Sequence, residues 1–313
     1  MTDKEMEKNL KEVVTYVRKA AEVGKEMEKT FKEGVTYLHK AAEQGHLETQ
    51  FKLALSYYSG NIVLQDRKEA FKWFRKAAEQ GHAEAQFFVG GYYELGECVP
   101  EDRDEALKWY HKAAEQGYAE AQFLVGNYYA LGKSVSQDLN EAFKWFRKAA
   151  EQGNPDAQFN LAVYYESGKY VPQDLKEAFK WYRKAAEQGS PDAQFNLACY
   201  YESGEHVPQD LKEAFEWYRK AAEQGFLAAQ FKLGLAHAKG DGIPQDDLKA
   251  YIWLKLANIA DGKQFDNEAD REERKEQAMT SYYVKQYYEE LASKMTKEQL
   301  AEAEKLVREW RPN

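Results

Sequence analysis

The residues able to serve as nucleophiles, proton carriers or metal ligands are few and scattered. Six histidines stand at His39, His46, His82, His111, His206 and His237. None makes the H-x-x-x-H or H-E-x-x-H spacing that sets two imidazoles on one helix face for zinc, and the cysteines form no pair at zinc spacing. Cys98 and Cys199 lie 101 residues apart. A redox thiol needs a basic neighbour to lower its pKa. The sequence puts none close to Cys199, which reads as a free thiol used as a small apolar residue. There is no G-x-S-x-G elbow, phosphate-cradling glycine motif or kinase signature. The acids of KGDGIPQDD (239–247) lack the EF-hand spacing and read as a loop and helix cap. The expectation is a chain that is not an enzyme, with no catalytic residue, no metal and no cofactor.

The chemistry that does recur is recognition chemistry. AAEQG occurs at 41–45, 77–81, 113–117, 149–153, 185–189 and 221–225, always 36 residues apart. With its glycine as position 0, position 6 is phenylalanine in every copy: Phe51, Phe87, Phe123, Phe159, Phe195 and Phe231. Position 3 is acidic in five, as Glu48, Glu84, Glu120, Asp156 and Asp192. Position 10 varies, through Leu55, Gly91, Asn127, Val163, Cys199 and Leu235. Position 13 reads Tyr58, Glu94, Ala130, Glu166, Glu202 and Ala238. Aromatic surface beside carboxylates suits a partner with basic and apolar side chains. At position 7, Phe88 and Leu124 replace the later Asn160 and Asn196, which adds an apolar patch if they are exposed.

Two helices per repeat must carry these residues. Gly recurs at position 15 (Gly60 to Gly240) and Asp at position 21 (Asp66 to Asp246). Gly after a periodic run is a C-cap, because it accepts positive φ. Asp before one is an N-cap, whose carboxylate accepts orphan N–H groups. Helix A therefore spans positions 2–14 and helix B positions 22–34. Helix B carries the i, i+3, i+4, i+7 stripe of Ala178, Trp181, Tyr182 and Ala185. Turned at 100° per residue, helix A groups positions 4, 5, 8, 9 and 12 on a packing side and 3, 6, 10, 13 and 14 opposite. Small residues at position 9 let helices approach closely. The repeats at 154–189 and 190–225 differ at five positions, which suggests internal duplication. Their wording repeats to build the stack; Cys199 for Val163 falls where specificity would be tuned.

The motif A-Q-F-N-L-A/G, followed at fixed offsets by Y, G, V-P, D, A, W and KAA-x-QG, resembles the Sel-1-like repeat family, relatives of the tetratricopeptide repeats. The resemblance covers about 45–261. It implies an all-α, right-handed α-solenoid of stacked 36-residue helix-turn-helix repeats. It also implies adaptor function without catalytic residues, and a concave groove lined by positions 3, 6, 10, 13 and 14. Some family members bind β-lactams, but no S-x-x-K nucleophile motif is present. Some link the helices of one repeat by disulfides, a layout that Cys98 and Cys199 do not fit.

The expected organisation is a degenerate helical cap at 1–45, six repeats at 46–261 and a helical cap at 262–313. Residues 14–24 and 35–45 read as two helix-B halves. A long helix is expected from about 267 to 294, and Thr296-Lys-Glu-Gln299 is a capping box that opens a last helix ending near Trp310.

Bulk composition agrees. The 313 residues carry a formal charge of −9 and seven prolines, which suits helices and argues against binding nucleic acid or anionic membranes. No stretch has the 18 apolar residues of a spanning helix, and the opening MTDKEMEKNLKEV holds no apolar run of signal-peptide length. A protein of the reducing cytoplasm is expected. Each site feature keeps a packing alternative: regular phenylalanines suit inter-repeat packing, and acids near a helix start suit the macrodipole. Beside the interaction scaffold stand two other readings. One is a small-molecule binder or hydrolase using Tyr282, Tyr283, Tyr287 and Tyr288, whose simpler role is a capping helix face. The other is a consensus-like designed repeat protein with no natural partner.

Overall fold

The computed structural model describes residues 35–261 and 284–312. Every described element is helical. Helical residues 35–43 form α1. The repeats then give α2 (Leu47–Ser59), α3 (Arg67–Glu79), α4 (Ala83–Leu95), α5 (Arg103–Glu115), α6 (Ala119–Leu131) and α7 (Leu139–Glu151). They continue as α8 (Pro155–Ser167), α9 (Leu175–Glu187), α10 (Pro191–Ser203), α11 (Leu211–Glu223), α12 (Leu227–Lys239) and α13 (Asp247–Asp261). Helical residues 284–294 form α14, and Lys297–Glu309 form α15. The even helices α2 to α12 are A helices at positions 2–14. The odd helices α3 to α13 all begin at position 22. Residues 14–24 and the start of the expected long helix lie outside the described residues.

Short polar groups set these limits. The Asp66, Asp102, Asp174, Asp210 and Asp246 carboxylates accept from backbone N–H groups in the first turn of their helices. At the other end of helix A, Gly204 takes φ 69°, where a side chain is strained. A Cβ there would also lie 2.7 Å from the Gln209 Cβ, because the loop folds back on the helix end. Gln209 fixes that fold by donating to the Glu202 carbonyl at 2.9 Å. Thr296 and Gln299 form the expected reciprocal capping box.

The chain forms two compact units, Met1–Gln137 and Asp138–Asn313. In each, every helix packs on the one before and the one after, α2 through α6 in the first and α7 through α13 in the second. This is the repeating solenoid of helix pairs that the 36-residue period predicts.

Helix B buries the expected stripe, with Ala178, Trp181, Tyr182 and Ala185 all in the core. Helix A buries positions 4, 5, 8 and 9. It also buries position 11 (Tyr92, Tyr128, Tyr200), whereas the position-12 tyrosines are half-buried. The buried edge of helix A is thus turned slightly from the expected one.

A glutamine ladder runs through the stack. Each buried position-5 glutamine donates to a carbonyl at the end of the preceding helix B, as Gln86 does to Ala78 at 3.1 Å and Gln194 to Ala186 at 3.2 Å. In Gln50, Gln86, Gln158 and Gln194 the side-chain carbonyl accepts from the glutamine of the following AAEQG, as Gln86 does from Gln116 at 2.7 Å and Gln194 from Gln224 at 2.9 Å. Both motif glutamines therefore satisfy helix-end groups and fix the register of successive pairs. Lysines one turn after five tryptophans lie over their rings, Lys76, Lys112, Lys148, Lys184 and Lys220 at 3.6–4.0 Å from Trp73, Trp109, Trp145, Trp181 and Trp217. Each such contact contributes about 0.5–1 kcal/mol at exposed sites.

The last described helices lie against the end of the second unit. α15 packs on α13, and Ala303, Val284 and Leu291 join Ala250, Tyr251 and Leu254 in one apolar cluster. Glu304 accepts from both Lys255 and Tyr251.

Candidate partner-binding face

The phenylalanine column lies on the seams between helix A and helix B. Phe51 is only 6% exposed and belongs to the core, against Phe74 at 5.8 Å and stacked on His82 at 4.2 Å. It is a packing residue and not an open groove residue, because His82 of the next repeat closes over it. The other five, Phe87, Phe123, Phe159, Phe195 and Phe231, are half-buried. Phe87 leans on Tyr110 and Tyr118, Phe159 on Tyr182, and Phe195 on Tyr218 and Phe226, at 5.2–5.8 Å. Packing accounts for the base of the column and leaves ring edges accessible.

The position-3 acids begin each helix A. Glu48 pairs with Lys52 at 3.2 Å. Among the described residues, Glu84 and Glu120 have no ion-pair partner. Burial raises the pKa of Glu84, and the charges of Glu120 and Glu48 raise it further against an opposing pull from His82. Glu84 therefore sits in the field of the acids on either side of it in the column. Asp156 and Asp192 are exposed in the second unit.

Position 13 has an internal role that its variation concealed. Glu94, Glu166 and Glu202 each accept from the tyrosine at position 29 of their own repeat, Tyr110, Tyr182 and Tyr218, all at 2.7 Å. Burial raises the pKa of each tyrosine, and its glutamate raises it further. The proton therefore stays on the phenol. The sequence carries the signal: wherever position 29 is Phe or Leu (Phe74, Phe146, Leu254), position 13 is Tyr or Ala.

Position 10 is the mixed row. Leu55 and Leu235 are half-buried against apolar clusters, Gly91 and Asn127 are half-exposed, and Val163 is exposed. Cys199 is a free thiol whose Sγ lies 3.3 Å from the Tyr218 hydroxyl. Burial pushes this thiol up, against a smaller opposing effect from Lys232, so it stays protonated as a packing group. At position 7, Phe88 stacks on Phe74 at 4.5 Å and meets Tyr58 at 5.6 Å, while Leu124 is half-buried. Position 14, which the sequence puts on the same side of helix A without marking its residues, is the most uneven column. There Leu95 and Leu131 are 71% and 61% exposed, where the other repeats carry Ser or Lys. Their column was legible in the repeat alignment beside Phe88 and Leu124.

The scattered histidines fall to packing and caps: His82 Nδ1 accepts from Ala85 N, and His39 meets the Tyr57 hydroxyl at 3.0 Å. Among the described residues no group of three His, Cys, Asp or Glu is placed to hold a metal. Asp246 caps α13, so KGDGIPQDD is a loop and cap. A cavity of about 650 Å³ opens among Phe215, Leu233, His237, Ile252, Trp253 and Leu306 in the second unit. Tyr288 packs on Tyr251 at 5.8 Å as part of the cap, and Tyr287 is exposed. Tyr282 and Tyr283 lie outside the described residues.

Comparison with known proteins agrees with this architecture. The Sel1 repeat family matches residues 20–46, 47–82, 83–118, 119–154, 155–190, 191–226 and 227–259. The first match lies at 20–46, where sequence alone expects a degenerate helical repeat or cap at 1–45. A structure of c5321, a protective antigen of uropathogenic Escherichia coli strains with an SLR fold, is 33% identical with a TM-score of 0.72. The match covers 88% of this chain but 55% of that one, so the chain spans about half the length of that protein. A Sel1 repeat protein from Oxalobacter formigenes is 34% identical over 74% of this chain and 95% of its own, with a TM-score of 0.65. No curated protein matches the chain. No helix among the described residues is long and apolar enough to cross a membrane. Proteins with these repeats generally serve as non-catalytic scaffolds for protein interaction. With seven matched repeats, a helix-pair solenoid in each unit and two solved relatives above 30% identity, the chain belongs to the Sel1 repeat family.

Proposed function

We propose that the protein is a non-enzymatic adaptor of the cytoplasm. Its helix-A face receives a peptide or helix of a partner protein with interleaved basic and apolar residues. The observation that carries this reading is the face of α4 and α6 in the first unit. Leu95 and Leu131 stand exposed where sister repeats are polar, and Glu84 and Glu120 lie on the same helices without ion-pair partners among the described residues. Exposed leucines do not help a solenoid to fold. Together with uncompensated acids they suit an amphipathic basic segment. The phenylalanine edges add apolar contact, and position 10 adjusts the surface from repeat to repeat.

The test uses a photo-crosslinking residue at Leu95, with a control at Lys108 on the exposed side of α5. A partner captured from Leu95 and lost in Glu84→Lys/Glu120→Lys supports the assignment. Equal capture from Lys108, or full capture by the double variant at low salt, contradicts it.

A further inference from the structure

We infer that Glu94 with Tyr110, and Glu166 with Tyr182, are receptors for single lysine-type side chains of the partner, each equivalent to a site that the chain's own Lys232 fills in the fifth repeat. This rests on the adaptor reading and specifies its chemistry.

The filled site shows what the receptor does. Glu202 accepts from the Tyr218 hydroxyl at 2.7 Å, and Lys232 Nζ donates to the same carboxylate at 2.7 Å. The ammonium also lies 5.7 Å from the centre of the Tyr218 ring. Both charged side chains are about one-third exposed, so the pair is reached from solvent yet partly dried. Lys232 sits at position 7 of the repeat after Glu202. The same relation between position 7 and the preceding position 13 recurs in the first unit, where Phe88 meets Tyr58.

The two other copies have the receptor without the cation. Glu94 and Glu166 make the same 2.7 Å contact to a buried tyrosine. Position 7 of the following repeat is Leu124 in one case and Asn196 in the other, and neither supplies charge. Tyr128 gives Glu94 a second donor at 3.2 Å, which uses one more lone pair and leaves the negative charge uncompensated. Among the described residues neither carboxylate has an ion-pair partner. A carboxylate held by a buried phenol is fixed in position. It therefore meets an incoming ammonium without the ordering cost that weakens most surface pairs. Leu95 and Leu124 offer the aliphatic stem of a lysine an apolar surface near Glu94.

Two measurements test this. First, Asn196→Lys installs the missing cation, as does Leu124→Lys. Each raises the urea midpoint at low salt, and the gain disappears when paired with Glu166→Gln or Glu94→Gln respectively. Second, a fluorescent dodecapeptide of alternating lysine and leucine is titrated against the same peptide with carbamylated lysines. The wild type favours the lysine peptide by about tenfold or more, and Leu124→Lys/Asn196→Lys removes that preference. A gain that survives the Gln substitutions, or a preference unchanged in the double-lysine variant, overturns the assignment. Failure of the adaptor reading looks different: crosslinking at Leu95 finds no partner while both measurements here still succeed.

Discussion

Removing the Glu166 side chain should cost more than removing both it and the tyrosine hydroxyl it serves. Tyr182 is fully buried, and its hydroxyl donates to Glu166 at 2.7 Å. Glu166→Ala leaves that hydroxyl buried without an acceptor, a cost of about 1–3 kcal/mol. Alanine returns a few tenths through helix propensity, and Glu166 is half-buried, so some water reaches the gap. The net loss is about 1–2 kcal/mol. Tyr182→Phe leaves only a carboxylate that water solvates and costs less than about 1 kcal/mol. The double variant recreates the Ala130/Phe146 combination that the third repeat already uses. It should lie within about 0.5 kcal/mol of Tyr182→Phe alone, so the cycle shows a coupling of about 1 kcal/mol. Urea unfolding followed by circular dichroism reads this as a midpoint shift of about 0.5 M for Glu166→Ala. Additive effects, or a double variant weaker than either single one, would refute the pairing as the reason position 13 is acidic.

Further expectations follow from the same geometry. Gly204→Ala should lower stability by about 1–3 kcal/mol, more than Gly91→Ala, because Gly204 combines φ 69° with a Cβ clash at Gln209 while a Cβ at helical Gly91 meets nothing nearer than the Tyr110 hydroxyl at 3.8 Å; differential scanning calorimetry ranks them. Gly90→Ala should also destabilise by about 1–3 kcal/mol, since its Cβ would lie 2.6 Å from the Tyr110 ring. Stability should fall as pH rises above about 10. Buried Tyr110, Tyr182 and Tyr218 have raised pKa values, and Tyr92 and Tyr164 are pushed up to about 12, so the folded chain holds protons that the unfolded chain releases near pH 10. Tyrosinate absorbance should rise in two stages, the second, from the buried phenols, together with loss of helix. In the cap, Glu304 has a pKa lowered by Lys255 and Tyr251. The stability it supplies is present above the ordinary glutamate range and is lost as pH falls through its depressed value. Glu304→Gln should flatten that acid limb.

Much of the fold was legible because the chain states it six times. The 36-residue period, Gly204-type C-caps and Asp-type N-caps located helix A to the residue, since capping needs a specific side chain at a specific place. The face was harder to read. Position 6 is constant, which hid the difference between Phe51, closed off by His82, and the half-open rings of the other repeats. Position 13 looked like variation for specificity, yet its identity is tied to position 29 by a buried hydroxyl. That link is visible only when two columns are compared. Leu95 and Leu131 escaped because a leucine at a helix end reads as ordinary, and only its exposure against polar sisters marks it. The Lys232 contact with Glu202 joins residues 30 apart, beyond any local pattern.

The central claim is that the α4–α6 face binds a basic, apolar segment. Its most direct test compares partner recovery by Glu84→Lys/Glu120→Lys with recovery by Glu79→Lys/Glu115→Lys, which makes the same charge change at the exposed ends of α3 and α5. The account predicts that the first variant loses the Leu95-crosslinked partner at unchanged helicity and that the second keeps it. Equal loss in both would show a general charge effect, and retention in the first would place the binding surface elsewhere.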